Sequence, residues 1–202
     1  MEGGRKVFSM IRDTKGVNEA SLANAIKREY VKRVLTNKSQ LLYPDKFDNV
    51  CEAISKWLLK DDRYKNLIIY GGVGIGKTTL LESLASVLSR TRAFGFLGLF
   101  SANRISSDKF IQSDGWRLLN DQLLVLIDDI GAENTELKSY GTNLTPIRTV
   151  IEERYYKKLP LIATTNLTMD KIGELYGGRV MDRIQEYDVL TYDIKESFRT
   201  IL

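Results

Sequence analysis

GGVGIGKTTL, residues Gly71 to Leu80, decides the fold of this chain. Four apolar or aromatic residues, Leu67 to Tyr70, lead into it, and Leu80, Leu81, Leu84, Val87 and Leu88 follow at helical spacing. The spacing predicts a strand, a glycine-rich turn and a helix. Gly71, Gly74 and Gly76 allow a backbone so tight that successive N–H groups face a ligand's phosphate oxygens. A side chain at those positions would block the approach. Lys77 then reaches the outer phosphates, Thr78 offers a hydroxyl to Mg²⁺, and the positive end of the helix starts where the phosphates lie. The run matches G-x-x-x-x-G-K-[ST] in the structural context that motif requires. The candidate cradle for a nucleoside triphosphate, ATP, is Gly71, Gly72, Val73, Gly74, Ile75, Gly76, Lys77, Thr78 and Thr79.

Working outward, LLVLIDDIG, Leu123 to Gly131, reads as a buried strand ending in two acids. In a parallel sheet, carboxylates at a strand's C-terminal end lie beside the phosphate loop. Asp128 is placed to hold the Mg²⁺ shell and Asp129 to polarise water. LIATT, Leu161 to Thr165, is another strand, ending at Asn166, whose amide either positions the attacking water or caps the next turn. Ala93 to Phe100 (AFGFLGLF) is a further buried strand.

The 202 residues suffice for one α/β domain with a small appendage. Apolar residues at 43% and charged residues at 28% place the chain in the globular class, and no apolar run approaches the ~20 residues of a membrane span. The N-terminal residues lack the apolar core of a secretion signal, and a lone Cys51 excludes an internal disulfide, so the expectation is a cytoplasmic protein without a membrane partner. The absence of histidine removes imidazole acid–base chemistry and imidazole metal ligands, leaving carboxylates, lysine and arginine to carry any reaction. A net charge of +4 is compatible with a nucleic-acid partner without requiring one.

Residues 1–40 form an expected N-terminal extension and 41–202 the main domain. Within the extension, Leu22, Ala25, Ile26, Tyr30 and Val34 recur at helical spacing among Lys27, Arg28, Lys32 and Arg33. Such a helix docks its apolar stripe on the domain, or serves as a partner-binding or nucleic-acid arm. Phe47, Val50, Cys51, Ile54, Trp57 and Leu58 predict a second helix. The stretch 101–121 suggests one or two short helices and mixes Arg104, Lys109, Arg117 and Trp116, a content that can hold single-stranded nucleic acid and that more often makes up ordinary surface and core. Residues 131–144 read as loop. Thr145-Pro146 opens a helix with Thr145 as cap, and Gly177-Gly178 interrupts the helical segment that carries Arg179 and Arg183.

The phosphate loop, the strand ending in Asp128-Asp129-Ile130-Gly131, the strand ending in Asn166, then GGRVMDRI and SFR resemble the DnaC/IstB group of AAA+ ATPases over about residues 42 to 202. The resemblance implies a three-layer α/β/α sandwich with a five-stranded parallel sheet ordered 5-1-4-3-2 and no C-terminal lid domain. It implies Asp129 at the catalytic base position, Asn166 at sensor one, Arg183 as an arginine finger with Arg179 as its alternative, and Arg199 as sensor two. An arginine finger implies a homo-oligomeric ring or spiral when ATP is bound. The partners implied are a replicative helicase and single-stranded DNA, with Arg104, Lys109, Lys138 and Tyr140 as candidate contacts. Two other readings remain at this point: an IstB-like helper of transposition, and an ATP-switched scaffold that hydrolyses slowly because Asp129 is shorter than the glutamate many relatives carry.

Overall fold

The computed structural model describes residues 17–36, 44–60, 66–91, 96–133, 137–139 and 142–192. Two long helices come first, α1 (Glu19–Thr36) and α2 (Pro44–Leu59). The α/β part follows as β1 (Leu67–Tyr70), α3 (Lys77–Thr91), β2 (Phe96–Ser101), α4 (Ala102–Ile105), α5 (Asp108–Ile111), α6 (Asp114–Asp121) and β3 (Leu124–Asp128). A hairpin of β4 (Leu137–Ser139) and β5 (Thr142–Leu144) precedes α7 (Pro146–Lys157), β6 (Leu161–Thr165), α8 (Met169–Tyr176), α9 (Gly178–Ile184) and β7 (Asp188–Thr191).

The main sheet runs β2-β3-β6-β1-β7, all parallel. Counting only its own five strands in chain order, this is 5-1-4-3-2, as the sequence resemblance implied. The layering follows from the period of two along each strand. Leu67 and Ile69 of β1, Leu124 and Leu126 of β3, and Ile162 of β6 join one apolar cluster with α1, α2 and α3. Their alternates Ile68, Val125, Ile127, Leu161 and Ala163 join a second cluster with residues of α4 to α9. Strands buried on both faces read as continuous apolar runs, which explains LIIY and LVLI.

The basic helix α1 docks by its stripe: Leu22, Ala23, Ile26, Tyr30 and Val34 are buried, and the Tyr30 ring packs on Phe47 of α2 with centroids 4.0 Å apart. Its charges lie outside the stripe, Lys27 meeting Asp48 at 2.5 Å and Arg33 meeting Glu82 at 3.1 Å.

Several expected boundaries shift. The strand expected over 93–100 is described from Phe96 to Ser101, and that expected to Gly131 stops at Asp128, because Asp129 takes a left-handed φ of +61° that no strand continues through. Three short helices, not one or two, occupy 101–121, each capped by a serine hydroxyl, Ser101, Ser107 and Ser113. The segment 131–144 is not all loop. Leu137–Ser139 pairs antiparallel with Thr142–Leu144, three-residue strands too short to show a period in sequence. Thr145 precedes α7 without a side-chain capping bond; its carbonyl receives Thr149 N at 3.0 Å, and Pro146 supplies the preset φ of the first turn.

Candidate functional site

Register sets the site. Tyr70 pairs with Thr165, Ile127 with Ala163 and Ser101 with Asp128, so the C-terminal ends of β1, β3 and β6 finish along one edge. That edge brings Gly71, Asp128, Thr164 and Asn166 to the N-terminus of α3, where a helix offers unpaired N–H groups and a positive dipole end.

The loop's conformation needs its glycines. Gly74 and Gly76 have φ of +84° and +88°, and a Cβ on Gly71 would sit 2.5 Å from the Tyr192 carbonyl oxygen. Ile75 is buried and pins the loop to the core, whereas Val73 is 66% exposed at its tip. Lys77 is buried, and its Nζ donates to Gly71 O at 2.7 Å, Gly72 O at 2.6 Å and Asn166 Oδ1 at 2.5 Å. Thr79 lies one residue further along α3, half-buried.

Thr78 Oγ1 donates to Asp128 Oδ2 at 2.9 Å, so the two oxygens assigned to Mg²⁺ from sequence are adjacent. Hydroxyl and carboxylate oxygens are the hard donors Mg²⁺ takes, and it takes few from protein when phosphates supply others. The residues fit the ion. The other carboxylate oxygen, Oδ1, accepts from Thr164 Oγ1 at 2.6 Å, and that same threonine oxygen receives the Asp129 amide at 2.8 Å. One hydroxyl thus orients both acids.

Asp129 is held in its left-handed conformation by what surrounds it. Asn166 Nδ2 donates to Asp129 Oδ1 at 2.6 Å, so Asn166 bridges Lys77 and Asp129. Ile130 N bonds Thr164 O at 2.9 Å and Thr165 Oγ1 donates to Ile130 O at 2.8 Å. Gly131, φ +91°, leaves room for Leu167, whose Cδ1 would lie 2.3 Å from any Cβ. Beyond it, Glu133 is buried and accepts from Gly131 N at 2.8 Å and from the Tyr176 hydroxyl. Burial first, and then the adjoining carboxylate, push the Tyr176 phenol far above its usual value, so it stays a donor.

Thr164, Glu133 and Tyr176 were missed by sequence reasoning. The sign for Thr164 was present: a threonine in an otherwise apolar strand, level with an acid on its neighbour. Glu133 and Tyr176 are 43 residues apart, and no local pattern connects them.

Arg183 is not part of the Lys77–Asp129 cluster of this chain. Its guanidinium carbon lies 4.1 Å from the Tyr155 ring centroid and 4.7 Å from that of Tyr156, and Nη2 donates to the Tyr156 hydroxyl at 2.9 Å. Arg179 is exposed on the same helix. Arg104 lies over Phe100 and Phe110, 6.0 and 5.7 Å from the centroids, and Lys109 is exposed on α5. Tyr140, Arg199 and the side chain of Lys138 lie outside the described residues.

A glycine loop at a helix N-terminus, a threonine–aspartate oxygen pair and a parallel sheet of this order define the fold of a P-loop NTPase domain. Residues 67–167, half of the chain, match the family described as RNA helicase, and the chain belongs to that family. No curated protein matches the sequence. Among solved structures, a putative primosome component from Streptococcus pyogenes serotype M3 is similar at 20% identity and a TM-score of 0.56, over 76% of this chain and 81% of that one. The DnaC helicase loader matches at 19% and 0.55, over 73% and 90%. Replication initiator DnaA bound to AMPPCP and single-stranded DNA matches at 16% and 0.56, over 75% of this chain and 47% of that longer one. At these identities the likeness is one of fold. Among the described residues no helix is long and apolar enough to cross a membrane.

Proposed function

We propose that this protein binds ATP and Mg²⁺ and works in DNA replication as a helicase loader, an assembly that takes hold of single-stranded DNA and acts on a replicative helicase. The observation that carries the reading is the convergence of Lys77, Thr78, Asp128, Asp129 and Asn166 on one sheet edge. Lys77 neutralises phosphate charge, the helix N-terminus and loop amides cradle the phosphates, and Thr78 with Asp128 hold the metal. Asp129, fixed by Asn166, accepts the proton of an attacking water, and Mg²⁺ supplies charge neutralisation on the phosphates. Arg183, and Arg199 in the C-terminal SFR segment, complete the site from a neighbouring subunit or on closure. A ring or spiral then forms only with triphosphate present. Replication proteins of the same fold bound to AMPPCP and to single-stranded DNA support the assignment of ligand and strand.

The family description favours one other reading, in which the strand held is RNA. Binding of labelled single-stranded DNA, single-stranded RNA and duplex DNA, with and without ATP, separates the two, and affinity capture with ATP asks which motor is bound. ATP-dependent retention of single-stranded DNA and of a hexameric helicase is expected. Preference for duplex DNA together with capture of a transposase would replace loading by a role in transposition. ATP-dependent DNA binding that survives Arg104→Glu with Lys109→Glu would remove those two residues from the contact surface.

A further inference from the structure

Arg183 is held in an unusual way for a residue so near the surface. Its guanidinium rests on two aromatic faces at 4.1 and 4.7 Å, those of Tyr155 and Tyr156, which are edge to face with centroids 6.1 Å apart. Stacking fixes the guanidinium plane, since both the ring quadrupole and the flat shape of the group favour one orientation. The bond from Nη2 to the Tyr156 hydroxyl, 2.9 Å, fixes its rotation within that plane. Tyr155 is itself tied down, its hydroxyl donating to Glu186 Oε1 at 2.9 Å from the turn that ends α9. Tyr156 remains 65% exposed, so it is not kept as core. A long arginine side chain ordinarily loses much rotamer freedom when it engages a ligand. Here two rings and one hydroxyl have removed that freedom beforehand, on a surface open to a neighbour.

We propose that Tyr155 and Tyr156 are positioning residues for Arg183, holding its guanidinium ready to meet the triphosphate in the phosphate loop of a second copy of this chain. The proposal rests on the reading of Arg183 as the residue supplied between subunits. It adds a specific requirement: the cradle must be intact on the subunit that gives the arginine, not the one that holds the nucleotide. Misplacing a transition-state contact by about 1 Å costs on the order of 100-fold in rate, so a cradle that fixes the group to within that distance governs turnover while leaving nucleotide affinity alone.

The test mixes two kinds of full-length subunit. Donors carry Lys77→Ala and hydrolyse nothing; acceptors are wild type and diluted among donors. Donors with Tyr155→Leu and Tyr156→Leu are expected to lower acceptor kcat roughly 10- to 100-fold with KM for ATP unchanged. Donors with both tyrosines changed to Phe, which keep the rings, are expected to retain most of the rate, with the residual loss assigned to the two missing hydroxyl bonds, to Arg183 and to Glu186. Assembly driven by a non-hydrolysable ATP analogue, followed by sedimentation, is expected to rank the variants in the same order without depending on turnover. Wild-type kcat and wild-type assembly with leucine donors, while Arg183→Ala donors fail, would overturn the cradle and leave the arginine's role standing. Arg183→Ala donors that support full turnover would overturn that role itself. If the leucine pair lowers the melting temperature enough to prevent assembly, Tyr156→Leu alone decides, since that ring is 65% exposed: wild-type kcat overturns the proposal, a several-fold loss with KM unchanged upholds it. Loss of nucleic-acid binding in Arg183→Ala with kcat intact would assign the arginine to the strand and also overturn it.

Discussion

Thr164 donates its hydroxyl hydrogen to Asp128 Oδ1 at 2.6 Å, so the acid assigned to the metal is oriented from the neighbouring strand and not from its own. The Thr164 hydroxyl oxygen in turn accepts from the backbone N–H of Asp129. Replacing Thr164 with Val keeps the shape and removes both bonds, leaving a part-buried N–H without its acceptor. The expected loss of stability is about 1–3 kcal/mol by urea titration. Because the orientation of a metal-holding carboxylate goes with it, Mg²⁺-dependent ATP affinity should fall roughly 10- to 100-fold.

Asp129→Asn separates binding from hydrolysis. The asparagine side chain keeps an oxygen for the Asn166 amide but cannot take a proton from water. ATP turnover should fall to background, while ATP still raises the melting temperature, as a ligand at about 100 times its Kd adds about 2.7 kcal/mol. Equal turnover in wild type and mutant would instead identify a nucleotide-switched scaffold with no useful hydrolysis.

Arg154 is completely buried, its guanidinium donating to three backbone carbonyls, Leu119 O at 2.6 Å, Leu123 O at 3.2 Å and Pro160 O at 2.6 Å. It therefore ties the end of α6, the start of β3 and the approach to β6 to α7. Arg154→Met leaves three backbone carbonyls without that donor. A loss of about 3 kcal/mol or more is expected in chemical denaturation, with the denaturant slope unchanged.

Stability should decline on the alkaline side. Burial pushes the Cys51 thiol up to about 12 and raises the phenols of Tyr30, Tyr176, Tyr187 and Tyr192. The folded protein keeps these protons where the unfolded chain releases them, from about pH 8.5 for a thiol and about pH 10 for a phenol. More protons bound in the native state means that stability falls as pH rises through that range. Burial pulls Arg154 down to about 9, which acts in the opposite direction, one group against five. Melting temperatures between pH 8 and 11 check the sign. At pH 8, Cys51 should resist alkylation until the chain unfolds, a direct probe of global opening.

Much of the site was legible because its parts are local. The phosphate loop, the paired acids and Asn166 each announce themselves within a few residues of a strand end, and a parallel sheet must bring such ends together. The hairpin at 137–144 was not legible, since three-residue strands have no period to read. The absent side-chain cap at Thr145 was hidden for another reason: Pro146 at the first helical position makes that cap dispensable.

By itself the sequence determined that this chain has a strand, a phosphate-binding turn and a helix in succession, that two acids and an amide end later strands, and that no imidazole takes part. Those follow from backbone freedom at glycine, from hydrophobic period and from residue chemistry, all properties of short segments. Only the tertiary structure decided that Thr164 orients both acids, that Glu133 and Tyr176 brace the turn behind Asp129, and that Tyr155 and Tyr156 hold Arg183. Each of these joins residues distant in the chain through hydrogen bonds or ring contacts. Their energies depend on distance and burial, which no spacing along the sequence records.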